Sequence, residues 1–232
     1  MSLRVAIVGY GKMGRAVERF APAHGCEITR IFRSADTCEG IAFHREGLSE
    51  IDVAIEFTTP QAAPENLRCL IEAGIPVVVG TTGWFHGLPQ LRELCEAKNG
   101  SVVWGPNFSV GLYHFRATVA DAARRFAREE SYGAWGWEIH HAAKKDAPSG
   151  TLLALAEDIS RSGYARPVSL AANRAGSVPG THEIGFESAE DSITLRHTAH
   201  SRDGFARGAL RAARWLVGKK GFFEFREIVD EL

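Results

Sequence analysis

The chain has 232 residues, 45% of them hydrophobic and 24% charged, with a formal net charge of −1. That length carries one large domain or two modest ones with a sizeable core, and the near-zero charge excludes the global basic field that attracts nucleic acid. The longest apolar runs, "VAIVG" and "IPVVVG", fall far short of a membrane span.

No charged stretch followed by an apolar one opens the chain, so no secretory signal is expected. Cys26, Cys38, Cys69 and Cys95 show no CxxC spacing and read as reduced thiols of a cytoplasmic protein.

"RVAIVG" is a short β-branched run bounded by glycine, and it predicts a buried strand. "GYGKMGRAVERFAPAHG" then predicts a glycine-rich turn and a helix stopped near Pro22. Gly9, Gly11 and Gly14 have the spacing GxGxxG. The first glycine permits a tight turn, the second lets a pyrophosphate approach the backbone, and the third allows helix to pack on strand. The helix N-terminus then faces the phosphates. Alone the pattern is weak, but here it sits between a strand and a helix, which favours dinucleotide binding.

"EITRIF", "DVAIEF", "PVVVG" and "SVVW" continue as strands, with "QAAPENLRCLIEAG" and "GLPQLRELCEAK" as helices between the later ones. Such alternation implies βαβ units and a parallel sheet. Three strand ends carry small turns: "FTTP", "GTTG" and "GPNFSVG". Ligands bind at the carboxyl ends of strands in open α/β sheets, so three such turns beside GxGxxG point to a nucleotide crevice. After the second strand, Phe32 stands where an acid would hold a ribose hydroxyl, and Arg33 and Ser34 follow, with Asp36 too far on. Arg33 therefore suggests a site that accepts or selects a 2′-phosphate, although a solvated arginine would read the same. The segment "SADTCEGIAFHREGLSEI" leaves little room for a helix before the third strand.

Beyond "GPNFSVG" the pattern changes. "LYHFRATVADAARRFAREE" is one long amphipathic helix, "GAWGWEIHH" a strand, and "PVSLAA", "HEIGFES" and "DSITLRHTAH" are three more strand candidates. Without strict alternation this is an α+β unit on a mixed or antiparallel sheet. The expected division is 1–107 for the dinucleotide-binding domain and 108–201 for the substrate and oligomerisation domain. "DGFARGALRAARWLVGK" and "FFEFREIVDEL" (within 202–232) are expected to return to the first domain.

"EIHHAAKKDAPSGTLLALAEDI" concentrates chemistry in one loop. Pro148 biases Ala147 towards extended backbone, and Ser149 is placed to N-cap a helix. The N–H groups of Ser149, Gly150 and Thr151 would then bind a carboxylate, aided by the helix dipole. Lys144 supplies a cation or a proton. His140 and His141 are adjacent at a strand end and face opposite ways, so one lines the site while the other packs. An N-capped helix with two incidental histidines would show the same letters. No HExxH or Cys/His metal spacing is present, and a Ser149 nucleophile would need a GxSxG turn, so no metal site is expected.

"EIHHAAKKDAPSGT", with "VGYGKMG", "GTTGW", "NFSVG" and "RAGSVPGTHEIGF", resembles the dihydrodipicolinate reductase family over nearly the whole chain. The resemblance implies a Rossmann domain, a second domain that also builds a homotetramer, and NADPH- or NADH-dependent reduction of 4-hydroxy-tetrahydrodipicolinate to tetrahydrodipicolinate. It implies His140 and Lys144 as the proton-transfer pair, and His141, Gly150 and Thr151 as substrate contacts, to which the reading of the helix N-terminus adds Ser149. It further implies cofactor contacts at Gly9, Tyr10, Gly11, Lys12, Met13 and Gly14. Gly80, Thr81, Thr82, Gly105, Pro106, Asn107 and Phe108 are implied as cofactor contacts too. Glu56 departs from the aspartate common there, and Phe32 speaks against a purely NAD-dependent enzyme. The alternatives are another two-domain nicotinamide enzyme, such as an amino-acid dehydrogenase, and a non-catalytic dinucleotide sensor. The sensor would have no need of His140 and Lys144 beside a helix N-terminus.

Overall fold

The structure is a computed structural model that describes residues 2–33 and 50–232. Ser34, Asp36, Cys38 and most of the segment expected to lack room for a helix lie outside the described residues.

The described elements run in chain order as β1 (Leu3–Val8), α1 (Lys12–Phe20), β2 (Cys26–Phe32), β3 (Val53–Glu56), α2 (Ala63–Glu72) and β4 (Val77–Val79). Next come α3 (Leu88–Ala97), β5 (Ser101–Trp104), α4 (Val110–Phe126), β6 (Gly133–His140), α5 (Gly150–Arg161) and β7 (Val168–Arg174). The chain closes with β8 (Thr181–Glu187), β9 (Ser192–Thr198), α6 (Asp203–Leu216), β10 (Gly221–Glu224) and α7 (Phe225–Ile228). They form two compact units, Met1–Val110 with Asp203–Leu232, and Gly111–Arg202.

The first unit is a six-stranded sheet in the order β10-β5-β4-β3-β1-β2, with every pairing parallel. Val5, Ala6, Ile7 and Val8 are all fully buried. A strand covered on both faces loses the polar alternation of a half-exposed one, which is why "VAIV" reads as a continuous apolar run. Ala6 and Val8 face the cluster of Leu67, Leu70 and Ile71 on α2 and Leu91 on α3. Val5 and Ile7 alternate to the opposite face, the side on which α1 packs against both β1 and α6. Among the described residues, no helix is long and apolar enough to cross a membrane.

Strand order reverses between β1 and β3, where the chain departs to opposite sides of the sheet. Gly9 sits at that point with φ of 95°, and a Cβ there would lie 2.2 Å from the carbonyl oxygen of Phe57. Left-handed backbone and the lack of room both demand glycine.

The second unit is a four-stranded mixed sheet, β7-β6-β8-β9, in which β6 pairs parallel to β7 and antiparallel to β8. Val119 and Ala123 of α4 and Leu152, Leu155 and Ile159 of α5 pack with Ile184 and Phe186 on one face. Each fully buried Leu or Ile side chain contributes roughly 1.5–3 kcal/mol. Along β6 the burial alternates, so Ala134, Gly136, Glu138 and His140 are buried while Trp135, Trp137 and Ile139 are half-buried. The helix-covered side of β6 thus ends in two ionisable residues.

Candidate active site

In the first unit, the turn after β1 and the loop after β3 border a cavity of about 850 Å³. Gly9, Tyr10, Gly11, Arg15, Arg33, Phe57 and Thr58 are among its lining residues. The cavity lies at the carboxyl ends of β1 and β3, the switch point of the sheet, where nucleotides bind in such folds. A Cβ on Gly11 would meet nothing within 4 Å, whereas one on Gly14 would lie 2.2 Å from the carbonyl oxygen of Gly9. Gly11 therefore leaves open space beside the turn, and Gly14 lets α1 pack closely. The α1 N-terminus has no side-chain cap, so its first N–H groups are suited to phosphate oxygens. These residues fit a dinucleotide.

Arg33 is exposed at the end of β2, with its guanidinium carbon 5.1 Å from the Tyr10 ring centroid. Arg15 approaches the same ring at 5.5 Å. Two cations beside one aromatic ring mark the part of the cavity suited to an anionic group. Arg15 was not singled out from the sequence, although its place one residue after the last glycine was the available signal.

Gly80, Thr81 and Thr82 follow β4 and Gly105, Pro106, Asn107 and Phe108 follow β5, on the same edge but outside the lining of this cavity. Thr81 is buried, and its hydroxyl accepts from the Thr58 N–H at 2.7 Å. Lys12, Met13 and Gly14 also lie outside the lining. Glu56 is fully buried, and its carboxylate accepts from the Thr58 N–H at 3.2 Å and from Asn66 at 3.4 Å. Burial pushes its carboxyl group up, against the hydrogen bonds from Thr58, Thr81 and Asn66. The longer acid at this position ties the β3 loop to the β4 loop.

In the second unit, the loop from β6 to α5 brings His140, His141, Lys144, Asp146 and Ser149 around the end of the sheet. Ala147–Pro148 is a cis peptide. Ser149 caps α5, its hydroxyl accepting from the Leu152 N–H at 3.2 Å. The expectation that three N–H groups stand free is corrected for Ser149. Its N–H is donated to Glu138 Oε1 at 2.8 Å, and its hydroxyl is donated to Oε2 of the same carboxylate. Ser149 is buried and serves the protein's own acid. Gly150 is exposed and a Cβ there would meet nothing within 4 Å, while its N–H faces the Asp146 carboxylate and helps lower its pKa. The solvent-facing part of the helix end is thus Gly150 and Thr151, with Asp146 in front of it.

His140 is buried and His141 half-buried, as adjacent positions at a strand end require. Lys144 Nζ donates to both oxygens of Asp146, at 2.7 and 2.9 Å, and this holds the Asp146 carboxyl below its ordinary value. Burial lowers the pKa of His140, opposed by the charge of Glu138. The ring is therefore neutral and able to accept a proton near neutrality.

Glu138, Arg174 and His182 complete the site and were missed from the sequence. Arg174 Nη2 lies 2.8 Å from Glu138 Oε1, and His182 Nε2 lies 3.3 Å from Oε2. Burial alone would raise the Glu138 carboxyl, but hydrogen bonds from Ser149 and the Arg174 pair outweigh it and lower the pKa. Burial, then the neighbouring His140, pushes His182 down to about 4. Ligand atoms of Glu138, His140 and His182 lie within 4.8 Å of one another. Arg174 already places a positive charge on that carboxylate, the role a cation would otherwise fill.

Residues 3–108 match the family described as dihydrodipicolinate reductase, N-terminus, and residues 111–229 match dihydrodipicolinate reductase, C-terminus. The chain is 35% identical to the 4-hydroxy-tetrahydrodipicolinate reductase of Christiangramia forsetii, covering 99% of both chains. It is 36% identical to the enzyme of that name from Stenotrophomonas maltophilia, covering 98% of each. Its fold matches a dipicolinate-bound dihydrodipicolinate reductase from Paenisporosarcina sp. TG-14 with a TM-score of 0.81, at 22% identity and full coverage of both. With matches over both units and the HHxxKxDAPSGT loop in place, the chain belongs to the dihydrodipicolinate reductase family.

Proposed function

We propose that the chain reduces 4-hydroxy-tetrahydrodipicolinate to tetrahydrodipicolinate, in diaminopimelate and lysine biosynthesis, at the expense of NADPH or NADH. The observation that carries this is the convergence of His140, Lys144 and the open end of α5 at Gly150 in one loop, in a chain whose other unit presents a GxGxxG turn at a sheet switch point. The dinucleotide, when bound by the Gly9–Gly14 turn, supplies the hydride. In balance, one hydride and one proton enter the substrate and its hydroxyl leaves as water.

The chain's own residues manage charge and protons. The N–H groups of Gly150 and Thr151 hold one substrate carboxylate, and His141 contacts the same molecule. Lys144 exchanges Asp146 for the substrate and delivers the proton. His140, neutral at working pH, exchanges the second proton that moves when water is lost. Arg33, with Arg15 beside it, receives the 2′-phosphate of NADPH. The half-buried face of Trp135, Trp137 and Ile139 supports assembly, and we assign it to the homotetramer interface. The free thiols of Cys26, Cys69 and Cys95 agree with a cytoplasmic enzyme.

The decisive assay adds freshly made product of dihydrodipicolinate synthase and follows NADPH absorbance. Substrate-dependent oxidation is expected. Its absence with both NADPH and NADH would overturn the assignment.

A further inference from the structure

Glu138 is fully buried and takes no part in the proton transfers assigned above. Its Oε1 is satisfied by the Ser149 N–H and by Arg174. Its Oε2 accepts from the Ser149 hydroxyl and faces two imidazoles, His182 Nε2 at 3.3 Å and His140 Nδ1 at 3.6 Å. His140 Nδ1 is buried and has no hydrogen-bond partner within bonding distance. A carboxylate oxygen beside such a nitrogen favours the tautomer that carries its proton there.

The rest of the ring is equally constrained. His182 packs edge-on against His140, centroids 5.1 Å apart at 72°. On the Nε2 side stands Gly180, at φ of 150°, where a Cβ would lie 2.8 Å from Nε2. The glycine keeps space open beside Nε2 while the acid sits beside Nδ1.

We propose that Glu138 is a positioning residue for His140, holding its ring with Nδ1–H turned to the carboxylate and leaving Nε2 to exchange protons with the substrate. This rests on the reading of His140 as a proton-transfer group. The charged and titratable groups around that ring are Glu138 on β6, Lys144 and Asp146 in the following loop, Arg174 on β7 and His182 on β8, with His197 on β9 beyond His182. Glu138 and Asp146 favour the protonated ring, and Lys144 and Arg174 oppose it. α5 contributes the uncharged Ser149.

Glu138→Gln tests the assignment. Its amide oxygen still accepts from Ser149 and Arg174, while its NH2 group, in place of Oε2, presents a donor to Nδ1 and inverts the preferred tautomer. Ring-15N-labelled protein, with the His140 signal identified by His140→Asn, reports the tautomer directly by two-bond proton–nitrogen correlation. The wild type is expected to show Nδ1 protonated and Nε2 bare, and Glu138→Gln the reverse. Turnover of Glu138→Gln should fall at least about 10- to 100-fold, the range for losing an outer partner that orients a metal-bound histidine. The KM for NADPH should hold, and the His140 limb of the pH profile should move to lower pH. Glu138→Asp, which keeps the carboxylate, should restore the Nδ1–H form. A wild-type His140 protonated on Nε2 would overturn the proposal, and that spectrum decides even if the variants do not fold. So would a folded Glu138→Gln with unchanged tautomer and pH limb. A wild type with the expected tautomer but no reductase activity would instead remove the functional reading and leave the positioning role standing.

Discussion

Ser149 and Glu138, eleven positions apart, are joined twice, by a backbone N–H to Oε1 at 2.8 Å and by a hydroxyl to Oε2. One residue thereby caps α5 and fastens that helix end to the end of strand β6. The N-terminus of α5 and the carboxylate beside His140 are fixed by the same contact, so the substrate-binding and proton-transfer groups proposed above share one anchor. Groups on the rim of this anchor can be changed without dismantling it.

Lys144 is the first of these. Its Asp146 partner is exposed, and such an ion pair contributes little to stability. Lys144→Ala should therefore fold normally and bind NADPH as the wild type does. Turnover should fall by about a hundredfold or more, a typical general-acid contribution. Steady-state kinetics with NADPH titration by fluorescence checks both halves. Near wild-type turnover would shift the role to Lys145.

Gly150 tests the anion site. Pyridine-2,6-dicarboxylate is expected to compete with the substrate and not with the cofactor. Because a Cβ at Gly150 would meet nothing within 4 Å, Gly150→Val is expected to obstruct chiefly what approaches from outside. The inhibition constant should rise at least about tenfold, consistent with losing a charge-assisted hydrogen bond. An unaltered constant would remove the carboxylate from this helix end.

Cofactor choice should turn on Arg33. An exposed arginine–phosphate contact with charge-assisted hydrogen bonds contributes roughly 1.5–3 kcal/mol. Arg33→Ala should raise the KM for NADPH about 10- to 100-fold by that estimate and leave NADH nearly unchanged. Phe32→Asp should favour NADH by accepting ribose hydroxyls and repelling the phosphate. Parallel kinetics with both cofactors settles the matter, and equal loss with both in Arg33→Ala contradicts it.

His182 makes an acid-stability prediction. Its native pKa, about 4, lies below its ordinary 6.5. Between those values the unfolded chain binds a proton that the folded chain refuses, so stability falls as pH drops from about 6.5 to about 4. The contribution is complete above pH 6.5. Urea midpoints at pH 7, 5.5 and 4.5 should decline in the wild type. In His182→Gln the slope over this window should be shallower, and an identical slope would remove His182 as its source.

Most strands and helices of both units were legible because their cause is local: "VAIVG" and "PVVVG" are buried on both faces, and the GxGxxG turn sits between a strand and a helix. The edge strand β10 was not read from "FFEFREIVDEL". Glu138 also left a local signal, since Glu-x-His on a strand puts both side chains on one face. Arg174 and His182 fall within the stretch "RAGSVPGTHEIGF", but nothing local there ties either of them to Glu138. Arg174 stands opposite His140 only through the β6–β7 register, and His182 opposite Glu138 only through the β6–β8 register. Register depends on the whole sheet, which short sequence windows do not contain. Ser149 was legible as a cap and misread as a ligand group because its internal acceptor lies across the loop.

The pairing of β10 with β5 joins residues 221–224 to residues 101–104 across the intervening second unit. A ribosome releases the segment Gly111–Arg202 entire while the sheet of the first unit still lacks its edge strand and the helix α6. Maturation is therefore out of step with synthesis: the unit begun first is completed last. A stop codon just after Arg202 would spare every residue of the loop between β6 and α5. It would still leave the nascent nucleotide-binding sheet with a raw β5 edge and an uncovered apolar face, a substrate for chaperones and proteases rather than a smaller enzyme.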